Sequence, residues 1–269
     1  MKPEDFEMIS GVLKERSGLA LNSDKLYLLE SRLTPLARKR GFGNLDELVR
    51  EVKIGRDKQL LEDVTEAMTT NESFFFRDNT PFDLFRELVL PQLLETRQKT
   101  RRIRIWCAAA STGQEPYSLA MILRELGPKV AGWKFDILGT DLSKEVLEKA
   151  KAGLYSQFEV QRGLPVHLLV KYFSQVGDMW QLDSSIRAMV SYKEHNLLYD
   201  FKSLGMFDAI YCRNVLIYFD QKTKANVLDR VREVLTEDGA LFLGAAETVL
   251  GITDKFKPVS GQRGMYVPA

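Results

Sequence analysis

The chain has 269 residues, with 38 lysines and arginines against 37 aspartates and glutamates, a net charge of +1. That length holds one large domain or a small domain joined to a medium one, and so even a charge balance argues against bulk nucleic-acid binding, which needs a basic excess. No apolar run approaches the roughly 18 residues of a membrane span, so no membrane insertion is expected.

Residues 1–78 read as helices. Phe6, Ile9, Val12 and Leu13 share one helical face, and Gly18 follows as a stop. Ser23 is a candidate cap for a run carrying Leu26, Leu29 and Leu33, which Pro35 should kink or split. Asn44 can cap a third helix that ends near Gly55, and Leu60, Leu61, Val64, Ala67 and Met68 stripe a fourth. Thr80-Pro81, a cap followed by proline, should start a helix running to about residue 95 with a kink near Pro91. Strands then alternate with helices: 103–109, 135–139, 207–212 and 240–244 are apolar strands, while 115–126, 143–152 and 221–235 are helical. This rhythm predicts an α/β fold, a parallel sheet with helices on both faces. Residues 173–192 break it. There, 179–182 and 186–192 read as two strands around Asp183-Ser184-Ser185, an inserted β-ribbon. The expected division is therefore a helical domain and linker at 1–78, and an α/β domain at 79–269.

The most informative stretch runs from Ile103 to Ser118. A buried strand leads into small residues at 108–113, and a helix follows. In a doubly wound sheet a ligand can approach main chain at such a strand end. The glycine triplet of dinucleotide sites is absent, which disfavours a nicotinamide cofactor; a tight turn with no ligand is the alternative. Asp141 ends the next strand, where an acid can accept hydrogen bonds from both hydroxyls of a ribose, or simply favour a helix N-terminus. Glu194-His195-Asn196-Leu197-Leu198 closes the ribbon. Arg213 and Asn214 stand at the end of strand 207–212, placed to line a crevice or merely an exposed strand end.

Three segments carry a resemblance: Ala108-Ala-Ala-Ser-Thr-Gly-Gln-Glu-Pro-Tyr-Ser118, Thr69-Thr-Asn-Glu-Ser-Phe-Phe-Phe-Arg77 and Cys212-Arg-Asn-Val-Leu-Ile-Tyr-Phe219. Together they resemble the CheR family of chemotaxis receptor methyltransferases, and the likeness runs to Arg263-Gly-Met-Tyr266. The resemblance implies a small all-α domain followed by a Rossmann-like methyltransferase domain with an inserted β-subdomain. It implies S-adenosylmethionine as cofactor, S-adenosylhomocysteine as product, and glutamate side chains of methyl-accepting chemotaxis receptors as acceptors, esterified during adaptation. By the same resemblance Asn71, Ser73 and Arg77 belong to an interdomain segment closing over the methionine part of the cofactor. Ser73 keeps the hydroxyl of the threonine common in relatives. Glu115 matches the acid on the amino-acid side, and Gln114 replaces an acid common in relatives. Asp141 matches the ribose ligand, Asn196 and Leu197 the adenine contacts, Arg213 and Asn214 further pocket contacts.

Methyl transfer to a carboxylate needs little acid–base machinery. A glutamate with a pKa near about 4.3 is already ionised at neutral pH. That suits a chain whose only histidines are His167 and His195 and whose only cysteines are Cys107 and Cys212, too few for a metal site or a Ser-His-Asp triad. No metal is expected. The candidate catalytic residues are Arg77, to hold the acceptor carboxylate, and Tyr218, to orient it. Otherwise Arg77 pairs with Asp78 or Glu72 at the surface, and Tyr218 is a core aromatic beside Phe219. Arg32, Arg38, Lys39 and Arg40 form a basic run with no acid between Ser31 and Leu45. The resemblance implies that they face the receptor's acidic methylation helices; a solvated helix face is the plainer reading. The loop at Gln175-Val-Gly-Asp178 is shorter than in relatives that dock a receptor's C-terminal pentapeptide, so independence from that peptide is expected. A reduced, cytoplasmic monomer completes the expectation. Rival readings are a methyltransferase of the same fold acting on a small molecule, and a non-catalytic module that senses S-adenosylmethionine.

Overall fold

The computed structural model describes residues 1–269. Four helices form the N-terminal unit: α1 (Pro3–Ser17), α2 (Leu26–Lys39), α3 (Leu45–Ile54) and α4 (Lys58–Met68). Asn44 caps α3 by accepting the Glu47 N–H at 3.0 Å, and Asp57 caps α4 through the Leu60 N–H at 2.9 Å. Ile9, Leu13, Leu29, Leu33, Leu48 and Val64 pack into one apolar cluster. Two expectations are corrected. Pro35 lies inside an uninterrupted α2; it and Ser31 sit on the exposed side, so the carbonyl deprived of its partner faces solvent. Ser23 does not cap α2 but opens a tight turn, Ser23–Lys25, that feeds the helix.

The next helix begins after Asn79, with Thr80 already inside it and no side-chain cap. It comprises α5 (Thr80–Leu84) and α6 (Leu90–Thr96), joined by a wide turn at Phe85–Val89 where the Leu90 N–H reaches back to the Phe85 carbonyl. The widened turn adjoins Pro91, which has no N–H to give.

The α/β unit then runs β1 (Arg102–Ala108), α7 (Gln114–Glu125), β2 (Lys134–Asp141), α8 (Lys144–Ala152), β3 (Leu154–Ser156), α9 (Gln157–Gln161), α10 (Val166–Tyr172), β4 (Phe173–Val176), β5 (Met179–Leu182), α11 (Ser184–Arg187), β6 (Val190–Glu194), β7 (Phe207–Cys212), α12 (Gln221–Val234), β8 (Leu235–Leu243), β9 (Phe256–Pro258) and β10 (Met265–Pro268). The main sheet has the order β6-β2-β1-β7-β8-β10-β9. Its first five strands are parallel; β10 and β9 add antiparallel, so the sheet is mixed. Alternation along β1 sends side chains to both faces. Ile103, Ile105 and Cys107 pack with Leu119 and Ile122 of α7, whereas Trp106 and Ala108 pack with Val227 and Val231 of α12.

The ribbon expected at 173–192 is also corrected. A separate three-stranded sheet, β3-β5-β4, turns at Gly177. Residues 184–187 are helical because the Asp183 carboxylate accepts the Ser185 N–H at 2.7 Å and starts a turn. The run after them becomes β6, which pairs parallel with β2 in the main sheet.

The two units are joined at several points. Lys14 and Asp220 form an ion pair at 2.7 Å, and the Ala20 N–H donates to the Tyr218 carbonyl at 2.9 Å. Glu66 accepts from the Ser143 hydroxyl and from the Glu145 N–H at 3.2 Å.

Candidate active site

Parallel pairing brings the C-terminal ends of β1, β2, β6 and β7 to one edge: Ala108 lies opposite Thr140 and Cys212, and Asp141 opposite Glu194. A cleft opens there, about 1030 Å³ with the open space at its mouth included. Asn71, Ser73, Arg77, Glu115, Asp141, Asn196, Leu197, Arg213, Asn214 and Tyr218 all line it. Residues separated by up to 147 positions in the sequence, Asn71 to Tyr218, thus converge on one space.

Asp141 is buried at the end of β2. Its carboxylate accepts the Ser111 N–H at 2.9 Å and the Ser143 N–H at 3.0 Å. Burial raises its pKa above the ordinary value, opposed by these backbone donors. Each oxygen keeps a lone pair for a further donor, so the group can still take the two hydroxyls of a ribose. The turn that meets it uses left-handed backbone at Ala109 and Ser111, and the Ser111 hydroxyl donates to the Asn71 carbonyl at 2.8 Å, tying the turn to the interdomain segment.

Glu115 stands in the first turn of α7. Burial raises its pKa, opposed by Arg213, whose Nη1 donates to Oε2 at 2.7 Å. Arg213 is almost fully enclosed. Its Nη2 donates to the Arg77 carbonyl at 2.8 Å and to Asp78 at 2.7 Å. Its terminal nitrogens are therefore spent within the protein, so it holds Glu115 and the 77–78 backbone rather than offering a free fork. Asn196 is similarly engaged: its amide donates to the Arg16 carbonyl at 2.6 Å and its oxygen accepts the Leu198 N–H at 2.9 Å.

Arg77 forms no ion pair with Asp78 or Glu72. Their carboxylates pair with Arg213 and Arg162, while Arg77 donates to the Glu72 carbonyl at 3.0 Å and lies over Phe74. Tyr218 is half-buried at the cleft wall and packs against the core that includes Phe219. No cluster of His, Cys, Asp and Glu with metal-ligand geometry occurs, and both cysteines are buried free thiols.

The basic run divides in two. Arg32 donates to the carbonyls of Met68 and Thr69 at 2.7 and 2.9 Å and to the Thr70 hydroxyl at 2.9 Å, bracing the start of the interdomain segment. Arg40 pairs with Asp63 at 3.0 Å and Asp57 at 3.4 Å. Arg38 and Lys39 are exposed and carry no ion pair. Sequence reasoning also missed Ser17 and Leu19, which the end of α1 adds to the cleft. Gly18 between them was legible only as a helix stop.

A parallel sheet with a carboxylate closing its second strand and a second one in the first turn after β1 is the arrangement of a Rossmann-like S-adenosylmethionine-dependent methyltransferase. Residues 71–265 match the family described as CheR methyltransferase, SAM binding domain, and residues 4–69 match its all-alpha domain. The chain belongs to the CheR methyltransferase family. It is 41% identical to chemotaxis protein methyltransferase 1 of Pseudomonas aeruginosa, across 98% of this chain and 97% of that protein. It is 38% identical to chemotaxis protein methyltransferase Cher2 of Pseudomonas putida, across 98% of each. Identity to the chemotaxis protein methyltransferase of Borreliella burgdorferi is 34%, across 92% of this chain and 89% of that one.

Proposed function

We propose that this chemotaxis receptor methyltransferase esterifies glutamate side chains on the receptor's methylation helices, with the acceptor entering the cleft between Arg77 and Tyr218. The observation that carries the reading is a single cleft holding the carboxylates of Asp141 and Glu115, an arginine with no carboxylate partner and a tyrosine, with His195 also on its wall. Bound S-adenosylmethionine supplies an electrophilic methyl group. Asp141 takes the ribose hydroxyls, Glu115 takes the amino group of the methionine part, and Asn71 and Ser73 close over that end. The backbone at Asn196 and Leu197 meets the adenine. Arg77 holds the ionised acceptor carboxylate and the Tyr218 hydroxyl orients it. Alignment and exclusion of water then supply most of the rate, as expected when the nucleophile needs no deprotonation.

The helical unit, 1–78, reads the receptor through Arg38 and Lys39, while 79–269 holds the cofactor. The short turn between β4 and β5 favours action without a receptor C-terminal peptide. The enzyme acts as a cytoplasmic monomer. The test is transfer of labelled methyl from S-adenosylmethionine to membranes bearing chemoreceptors, followed by mild base. Carboxyl methyl esters release their label as methanol; label that stays through base, or that enters small molecules instead, would sink the reading.

A further inference from the structure

Glu247 follows β8 and does not line the cleft, yet its carboxylate binds the turn that carries one wall of it. It is 9% exposed. Oε2 accepts the N–H groups of Asn214 at 2.8 Å and Gly244 at 2.7 Å; Oε1 accepts those of Val215 at 2.9 Å and Ile217 at 3.3 Å. Hydrogen bonds from backbone amides to a carboxylate are among the strong ones. Here they hold strained backbone, since Asn214 sits at φ +58°. Gly244 closes the arrangement. A Cβ there would meet Glu247 Oε2 at 2.8 Å and the Asn214 main-chain nitrogen at 2.9 Å. Asn214, Val215 and Tyr218 line the cleft, and the Tyr218 N–H donates to the Val215 carbonyl at 3.2 Å, inside the same turn.

We infer that Glu247 is a positioning residue for methyl transfer: it fixes the 213–218 turn so that Tyr218 meets the acceptor carboxylate in line with the methyl group. The inference rests on the reading of Tyr218 as the group that orients the acceptor. Misplacement of about 1 Å costs on the order of a hundredfold in rate, so a buried four-pronged anchor on that turn matters even though it touches no reactant.

Glu247→Gln keeps the shape but turns one acceptor oxygen into an amino group facing two N–H donors. In assays on chemoreceptor membranes, kcat should fall at least about tenfold. S-adenosylhomocysteine affinity, read by calorimetry, should stay within about threefold, since Glu247 bonds neither Glu115 nor Asp141. In a Tyr218→Phe background the same change should cost less than about threefold more, because it acts through Tyr218. Gly244→Ala pushes on the same turn and should give the same split; it carries the comparison if circular dichroism shows Glu247→Gln to be unfolded. Losses that multiply in the double variant, or cofactor affinity falling in step with kcat, would reduce Glu247 to general structural support and overturn the inference. Full activity of Glu247→Gln beside an impaired Tyr218→Phe removes Glu247 alone. Full activity of Tyr218→Phe removes the reading of Tyr218, and the inference with it.

Discussion

At the scale of single residues, the carboxylates of Asp141 and Glu115 decide how the cleft responds to mutation and pH. Asp141→Ala removes the partner of the ribose hydroxyls and should weaken S-adenosylhomocysteine binding by roughly 1.5–3 kcal/mol; unchanged affinity in calorimetry would remove Asp141 from the site. Burial raises the pKa of both Glu115 and Asp141. In the folded protein they therefore protonate at higher pH than ordinary carboxylates. Between the unfolded value and the raised one, the native state binds more protons, so these two groups add stability as pH falls. In the proposed reading it is their ionised forms that hold the cofactor. Asp220 and Asp238 behave oppositely: hydrogen bonds from Lys14 and Arg97 lower them, so the stability they give is lost only below the ordinary carboxylate range. Mild acid should thus release the cofactor before it unfolds the chain, with affinity falling up to about tenfold per pH unit for each required proton loss. Titrating affinity and thermal stability in parallel checks the order, and simultaneous loss would contradict it. Asp141 was legible because it ends an apolar strand. Glu247 was not, because its four donors lie up to 33 positions away. Arg32 and Arg40 looked free in the sequence for the same reason: their acceptors belong to a neighbouring helix and the segment beyond it.

Among elements, helix periods were readable because the signal is local, but of the expected caps Ser23 and Thr80 do not serve. Asn44 and Gly55 bound α3 as the sequence suggests. The four apolar strands of the α/β unit lie where expected, because burial on both faces makes them continuous apolar runs. Strand partnership was not readable. Residues 179–182 and 186–192 both read as ribbon strands, but the first lies in the small sheet and 190–194 joins the main one. β9 and β10, short and each ending in proline, carried no strand signal. The least local element is the latch at the end of α1. Gly18 lies at φ +79°, and a Cβ there would meet the Phe219 ring at 3.0 Å and Leu198 at 3.1 Å. Gly18→Ala should cost about 1–2 kcal/mol from left-handed backbone alone. It should also weaken S-adenosylhomocysteine binding, since Leu19 and Phe219 share the cleft wall. Thermal denaturation and calorimetry of the variant check both; a variant with native stability and affinity would show that this contact does not shape the site.

Across the whole molecule, the cleft is assembled from both units. Asp141 and Glu115 of the cleft belong to the α/β unit, whereas Arg38 and Lys39, exposed and without ion pairs, lie on α2 of the helical unit. Recognition of an acidic receptor helix by Arg38 and Lys39 should therefore be steered over a Debye length of about 8–10 Å and weaken with salt. The most direct test of this division is to make the double variant Arg38→Glu, Lys39→Glu, leaving Arg32 and Arg40 with their internal partners. Receptor methylation and S-adenosylhomocysteine affinity are then measured side by side. Methylation should fall about tenfold or more at low salt, with cofactor affinity unchanged. Methylation at the normal rate, or cofactor affinity lost in step with it, would contradict the division of labour between the two units.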